Sequence, residues 1–189
     1  MINEVLVMLK DKLNDYCKLK TGLAEDKVVF PDGSDLDPAH FPNNSIVPIL
    51  VNFEEEKVIR AANRFEGVMR NGIKTDLSPS ISLNLMVLFV ARFTDYEQSM
   101  KFLSLIIRFF QRNRVFDQFN APSLSPEVGK IKMELLALPL QQQNELWGSL
   151  RTAYQPSVLY KVSLLTFHDD GSIEIMADVS ETQTNISVQ

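Results

Sequence analysis

The sequence predicts a mixed α/β (α+β) fold, a single domain whose mixed sheet is packed by helices. Three observations support this prediction. Apolar residues near the start recur with the period of a helix. The apolar stretch Ile81–Phe93 has the composition of a strand covered on both faces, and a capped amphipathic segment follows it. We expect this domain to span residues 1–179 and a polar tail to occupy residues 180–189.

The first predicted element is a helix with one apolar face. Asn3 is its candidate cap and Gly22 its stop signal. Val28–Phe30 follows as a short strand, and Asp32–Asn44 as a loop rich in Pro and Asp. Counted from any of these Asp residues, the sixth position is not Gly and the twelfth is not Glu, so a solvated loop is favoured over a calcium site. The apolar face comprises Ile2, Val5, Leu6, Leu9, Leu13, Tyr16 and Cys17.

The next predicted strand is Ile46–Phe53, which is apolar along nearly its whole length and so predicted to be covered on both faces. Pro48 removes a ladder donor and indicates an edge strand or a bulge. The acidic residues after it, Glu54, Glu55 and Glu56, are typical of a solvated strand end. The alternative is an ion-pair contact with a neighbouring subunit, complemented by Arg60 or Arg64. Ala61–Asp76 is predicted to be an extended loop.

The strand Ile81–Phe93 presents apolar residues to both faces, which indicates a central position. Thr94 or Asp95 then caps a helix from Tyr96 to Arg112. Two apolar stripes cover more of this helix than one sheet face needs, so either a second helix of the same domain or a neighbouring subunit covers the excess. The core stripe is Tyr96, Met100, Leu103, Ile106, Ile107 and Phe110, and the second stripe is Phe102, Leu105 and Phe109.

The remaining elements are shorter. We predict a loop at Asn113–Lys130, a strand at Ile131–Leu138, a helix from Pro139 to Leu150 and a strand at Ser157–Phe167. A turn at Asp169–Ser172 leads into Ile173–Val179, a hairpin strand. The sheet is expected to pack against the first and third helices.

Charge and composition exclude several classes of protein. The net charge of −5 argues against a nucleic-acid surface, and the one concentration of basic residues is Arg108, Arg112 and Arg114. The charged residues within Met1–Lys20 argue against a signal peptide, and Leu85–Ala91 is too short to span a membrane. We therefore expect synthesis in a cytosol without direct membrane insertion. The single Cys17 lies on the apolar face of the first helix, as a buried thiol would.

No pattern of residues indicates catalysis, a metal site or a cofactor. His40 and His168 are isolated in the sequence, and one Cys with two scattered His is too few for a structural zinc site. The glycine-rich motifs of nucleotide-binding and hydrolase folds do not occur. We expect a protein that is not an enzyme.

A family resemblance enters at Glu145, where the chain reads ELWGSLRTAYQPSVLYKVSLLTF. A short helix carries Trp147, Tyr154 follows, and Pro156-Ser157-Val158 opens a strand with Tyr160. With the first helix, ILVNFEEEK, and SLNLMVLFVARF leading into a helix, this order resembles the tail-terminator (cap) family of contractile injection systems, of the virulence-cassette and antifeeding-prophage type. The likeness covers roughly Met1 to Phe167. Gln155 stands where the family more often has a basic residue.

The resemblance implies a phage tail-terminator-like fold and a structural role without cofactors. Such caps form a sixfold ring on the distal end of the inner tube, meet the last sheath layer, end polymerisation and anchor the sheath. The implied partners are therefore copies of the chain itself, the inner tube protein and the contractile sheath protein. The location of the particle stays open between cytoplasmic, membrane-anchored and released.

Aromatic residues of the matching segment are candidates for the interface, since Trp and Tyr are enriched at hot spots. Trp147, Tyr154 and Tyr160 qualify, with core packing as the alternative. The tail, Ser180 to Gln189, is a candidate for docking as an added strand. Two other functions stay open: a baseplate or sheath-associated adaptor of the same particle, and a small-molecule-binding domain or enzyme with an unrecognised site.

Overall fold

The computed structural model describes residues 1–31, 33, 39–56, 68–70, 73–75 and 81–167. Within them the helices are α1 (Ile2–Thr21), α2 (Tyr96–Arg112) and α3 (Leu140–Ser149), and a 3-10 turn covers Pro126–Val128. The strands are β1 (Ser45–Glu55), β2 (Val68–Arg70), β3 (Ile73–Thr75), β4 (Ile81–Arg92), β5 (Val115–Phe116), β6 (Ile131–Leu136) and β7 (Ser157–Phe167). The predicted α+β class is confirmed.

The chain divides into two compact units. The larger comprises Met1–Lys57 and Ile81–Phe167 and holds a five-stranded sheet in the order β1-β4-β7-β6-β5. The smaller comprises Val58–Ser80 and His168–Gln189, and its described residues form the antiparallel hairpin of β2 and β3. The predicted hairpin strand Ile173–Val179 and the boundary between residues 179 and 180 lie outside the described residues.

Strand directions differ from the predicted mixed sheet. All pairings between the named strands of the five-stranded sheet are antiparallel. The one parallel pairing among the described residues is an isolated bridge between Val28 and Ile46. The predicted strand Val28–Phe30 is therefore reduced to this bridge, which lies against the first half of β1.

Helix α1 ends as predicted and begins differently. Gly22 follows it with φ 73°, a left-handed conformation that glycine adopts without steric cost. Asn3 lies inside the helix, and Met1 is the N-cap. On the buried side, Asn14 binds the segment that follows: its Oδ1 accepts hydrogen bonds from the backbone N–H groups of Lys27 and Val28, at 2.9 and 2.8 Å, and its Nδ2 donates to the Val28 carbonyl at 2.8 Å. The Asn14 side chain can be buried at little cost, because both of its polar atoms have hydrogen-bond partners.

Of the two alternatives that Pro48 indicates, an edge strand is confirmed, and a bulge occurs further along the same strand. Strand β1 is at the end of the sheet, and its register with β4 shifts between Leu50 and Asn52. Ser45 to Ile49 are buried and Leu50 and Val51 are half-buried, whereas Asn52 to Glu55 are exposed. The prediction that β1 is covered on both faces therefore holds for its first half alone.

Strand β4 is internal to the sheet, as its two apolar faces predict. One core lies on the side of the sheet that carries α1 and α2, here called the helical face. From β4 it includes Leu85, Val87, Phe89 and Ala91. Leu88 and Val90 belong to a second core with Trp147 of α3, on the opposite side, here called the α3 face.

Helix α2 begins where the sequence indicates, because the Asp95 carboxylate accepts a hydrogen bond from the Glu97 backbone N–H at 3.0 Å. It packs on the sheet together with α1, while α3 covers the other face. The expectation that the first and third helices pack the sheet is therefore incomplete: α2 has the wider apolar surface and takes the position next to the strands.

Two predicted loops contain regular structure. Ala61–Asp76 includes the hairpin of β2 and β3, and Asn113–Lys130 includes β5 and the 3-10 turn. Strands of two or three residues are too short to show the alternation that identifies a strand in sequence. Among the described residues, no helix is both long and apolar enough to cross a bilayer.

Candidate assembly interface

The second apolar stripe of α2 lies inside the domain. Phe102, Leu105 and Phe109 are all buried, and their core includes residues of α1. The Tyr16 and Phe109 rings are 5.3 Å apart, and Phe102 stacks on Phe93 at 4.4 Å. Of the two alternatives for this stripe, coverage by a second helix of the same domain is therefore the correct one. As candidates for an exposed subunit contact, these three residues are wrong.

The predicted core stripe of α2 includes two exposed residues. Tyr96 is 70% exposed in the first turn, and Ile107 is 36% exposed near the end of the helix. Their assignment to the core is wrong, because α1 and the sheet cover a different arc of the helix. The large apolar side chains left exposed on α2 are thus Tyr96 and Ile107 rather than those of the second stripe.

The three aromatic candidates of the matching segment have different environments. Trp147 is buried in the α3 face core, with its ring 6.0 Å from Phe41 and 5.5 Å from Tyr154. Tyr160 is buried on the helical face against Phe110, and burial raises its pKa to about 12. Core packing therefore accounts for Trp147 and Tyr160. Tyr154 is 58% exposed and is available at the surface.

The other candidate residues lie at the end of β1, just before β7 or outside the described residues. Glu54 and Glu55 are exposed. Glu56 is half-buried, accepts a hydrogen bond from Asn84 Nδ2 at 2.7 Å and lies 3.9 Å from Lys161 Nζ. Gln155 is half-buried just before β7. Arg60, Arg64, Ser180 and Gln189 lie outside the described residues, so contacts of the acidic run or the tail with a neighbour stay predictions.

A groove of about 590 Å³ opens at the surface beside β6, and the sequence did not indicate it. Strand β5 pairs only with Ile131 and Lys132, so the rest of β6 extends beyond it. Residues of β6 and of the C-terminal turn of α2 form the walls. The groove is lined by Ile107, Phe110, Gln111, Arg114, Lys132, Met133, Glu134, Leu135, Leu136 and Tyr160.

Two exposed apolar residues of this groove had no distinguishing signal in the sequence. Leu135 is 53% exposed, yet it continues the alternation of Ile131 and Met133, which are buried. Ile107 likewise continues the apolar period of α2. The spacing of apolar residues shows on which face of a helix or strand a residue lies. Whether that face is covered depends on how far the neighbouring helix or strand extends.

A fully exposed phenylalanine lies close to this end of the sheet. Phe119 follows β5 in a turn where the Asp117 carboxylate accepts hydrogen bonds from the backbone N–H groups of Phe119 and Asn120, at 3.0 and 3.2 Å. The Asn120 side chain closes the turn by accepting from the Asp117 N–H and donating to the Val115 carbonyl. The turn thus holds an aromatic ring in water, a common feature of binding surfaces.

The groups considered for chemistry are dispersed. Cys17 is a buried free thiol, as predicted, and burial raises its pKa to about 11. His40 is exposed, and His168 lies outside the described residues. The described residues contain no cluster of three or more His, Cys, Asp or Glu side chains suited to a metal ion.

The larger unit is a small α+β domain with a five-stranded antiparallel sheet, helices on both faces and exposed apolar residues at both sheet edges. Solved structures share this fold. The chain matches the "PVC sheath/tube terminator in extended state" of an extracellular contractile injection system with a TM-score of 0.57 and 16% identity, covering 100% of this chain and 65% of that one. It matches the "anti-feeding prophage cap (AFP tube terminating cap)" with a TM-score of 0.53 and 15% identity, covering 97% of this chain and 59% of that one.

The sequence identifies the family directly. The chain belongs to the Pvc16 N-terminal domain family, which matches residues 4–176. The resemblance to tail terminators is confirmed by this match and by the shared fold. The chain spans less than two thirds of the length of either solved terminator. No functionally curated protein is significantly similar to it.

Proposed function

We propose that this protein is a structural cap, a tail terminator, of a contractile injection system. The observation that carries the proposal is the family match over residues 4–176. The fold likeness to a sheath/tube terminator and to a tube terminating cap supports it. The role is one of binding: the cap ends the inner tube, and no chemical turnover is needed.

The finer proposal is a ring of six copies on the distal end of the inner tube, which also holds the last layer of the sheath. A ring requires heterologous contacts, in which one patch meets a different patch on the next copy. Unlike surfaces of this kind occur at the two ends of the sheet, where exposed Phe53 is on β1 and exposed Leu135 is on β6. Exposed apolar residues are favoured at such contacts because association removes them from water.

The proposal is tested by imaging particles from a producing strain that lacks this gene. We expect tubes and sheaths of uncontrolled length, or sheaths that disassemble, because nothing ends the polymer. The control is the same strain with the gene restored, which should recover one defined length. Particles of normal length and intact sheath in the deletion strain would contradict the proposal.

The position of the chain in the particle separates the cap from the adaptor function. A tagged copy at the end distal to the baseplate supports a cap, whereas a tagged copy at the baseplate or along the sheath supports the adaptor. A chain found in no particle fraction would instead favour a small-molecule-binding domain or enzyme.

A further inference from the structure

The two ends of the five-stranded sheet carry opposite charge. At one end, Glu54 and Glu55 are exposed on the last residues of β1. At the other end, Arg114 and Lys132 line the groove beside β6, and Arg112 is exposed at the end of α2. Glu134 also lines the groove and offsets one of its two cations, so the lining keeps one excess positive charge in a chain whose net charge is −5. Complementary potentials of this kind favour binding of one end to the other.

The charges at the groove are not all used within the chain. Lys132 is paired with Glu134. Arg112 and Arg114 are exposed and form no ion pair in the part of the chain that the structure describes. At the opposite end, Glu54 is exposed and likewise has no ion pair with a described residue. The cations and the carboxylate are therefore available to a partner.

Apolar surface accompanies the charge at each end and lies on the same face of the sheet. Phe53, 60% exposed, is directly opposite Leu85, whose side chain belongs to the core of the helical face. Leu135 alternates with Ile131 and Met133 of that same core, so it too is on the helical face. When two sheets join edge to edge, residues on one face stay on one face. Phe53 of one copy can thus meet Leu135 and Ile107 of another.

At these positions neither sheet edge has a pairing strand from the part of the chain that the structure describes. The outer side of β1 is covered in its first half by the bridge from Val28 to Ile46, and among the described residues no strand pairs with the outer side of its second half. On the other edge, β5 pairs with two residues of β6, and the Met133 N–H donates to the Arg114 carbonyl at 2.8 Å. Leu135 lies beyond these contacts. Edges of this kind can pair with a further chain.

We propose that the exposed end of β1 in one copy, at Phe53 and Glu54, binds the groove between α2 and β6 of the next copy, with Arg114 as the charge partner. The contact is heterologous, because the two patches are unlike and lie at opposite edges of one sheet. It rests on the proposed function, since it specifies the contact that would build the ring. In this contact Arg114, rather than Arg60 or Arg64, is the partner of Glu54.

The geometry is tested by engineered cysteines in the full chain, whose one native thiol, Cys17, is buried. Phe53→Cys and Leu135→Cys are purified separately, oxidised alone and as a mixture, and run without reductant. The mixture is expected to give covalent dimers at least tenfold above either variant alone, because residue 53 contacts residue 135 and not itself. The double variant on one chain should give a ladder of larger species.

The energetics are tested by charge reversal, read as the concentration at which the chain associates by light scattering or mass photometry. Glu54→Arg and Arg114→Glu should each raise this concentration tenfold or more, and the double variant should return to within about threefold of the wild type. Lys101→Glu is the matched control, because Lys101 is exposed on α2 outside the groove. Circular dichroism confirms that each variant is folded.

The outcomes separate this inference from the proposed function. If the chain associates or caps tubes and neither charge reversal nor mixed cysteines have an effect, the inference is overturned and the cap function stands. If the variants bind purified inner tubes poorly but leave self-association unchanged, the groove binds tube protein and the inference is also overturned. If the wild type stays single at every concentration and does not bind tubes, both fail.

Discussion

The two faces of the sheet are covered to different extents, and the difference determines how much apolar surface each face leaves exposed. On the helical face, α1 and α2 cover the strands, and rings such as Phe89, Phe109 and Phe110 contact one another. On the α3 face, a helix of ten residues buries one side chain, Trp147, while Leu140 and Tyr154 stay exposed. Apolar surface is thus buried across the middle of the helical face and stays exposed at its edges, at Phe53 and Leu135, and on the α3 face beside the short helix.

The largest expected effect comes from opening the helical face. Phe109→Ala removes a buried ring that contacts Tyr16 and Phe110, and we expect the free energy of unfolding to fall by about 3–5 kcal/mol. Chemical denaturation of the monomer at low concentration measures this loss. Tyr96→Ala, at an exposed position of the same helix, is the control and should change stability by less than about 0.5 kcal/mol.

The Phe109→Ala variant also tests whether the helical face is more fully covered than the α3 face. A Phe109→Ala protein that keeps its stability but no longer associates would mean that the second stripe of α2 is a subunit contact after all. The helical face would then be as open as the α3 face.

The next effect tests how α1 holds the segment beside β1. Asn14→Ala leaves two backbone N–H groups and the Val28 carbonyl without the Asn14 side chain. We expect a loss of roughly 3 kcal/mol in the free energy of unfolding, because buried polar groups without partners retain their desolvation cost. Hydrogen exchange should also accelerate at Val28 and Ile46. Unchanged exchange there would show that α1 does not position this segment.

Much of this architecture was predictable because short-range patterns determine it. The two apolar faces of β4, the edge position implied by Pro48 and the cap at Asp95 each depend on a residue and its immediate neighbours. The sequence did not decide what covers the second apolar stripe of α2. A helix of the same domain, which proved to be α1, and a helix of another subunit would require the same apolar residues there.

The candidate interface was less predictable than the fold. Leu135 and Ile107 have the spacing of core residues, and they are exposed because β5 ends after two residues. The acidic end of β1 was identified from its sequence, whereas the basic residues of the groove, Arg114 and Lys132, come from the link between α2 and β5 and from β6. Only the folded chain brings those residues to one groove.

A smaller, pH-dependent change in the free energy of unfolding measures how completely the helical face buries Cys17. In the unfolded chain the Cys17 thiol has its ordinary pKa of 9.0, whereas burial raises the pKa of the folded thiol to about 11. The folded state therefore favours the protonated thiol, and its contribution is present below pH 9 and lost between pH 9 and 11. We expect a loss of about 2–3 kcal/mol over that window from this group. Cys17→Ala should lose correspondingly less stability between the same two pH values, and an identical decline would contradict the burial of this thiol.

The smallest effect is expected on the α3 face, at the one buried side chain of α3. The Trp147 Nε1 is buried and has no hydrogen-bond partner in the described part of the chain. Trp147→Phe loses ring area but also removes this N–H, whose desolvation opposes folding, so the two contributions offset and we expect a change of at most about 1 kcal/mol in the monomer. Tyr154→Phe, at the exposed neighbouring ring, is the control. A loss of more than about 2 kcal/mol that occurs only in the assembled state would show that a neighbouring subunit supplies the acceptor, and would make the α3 face part of the interface.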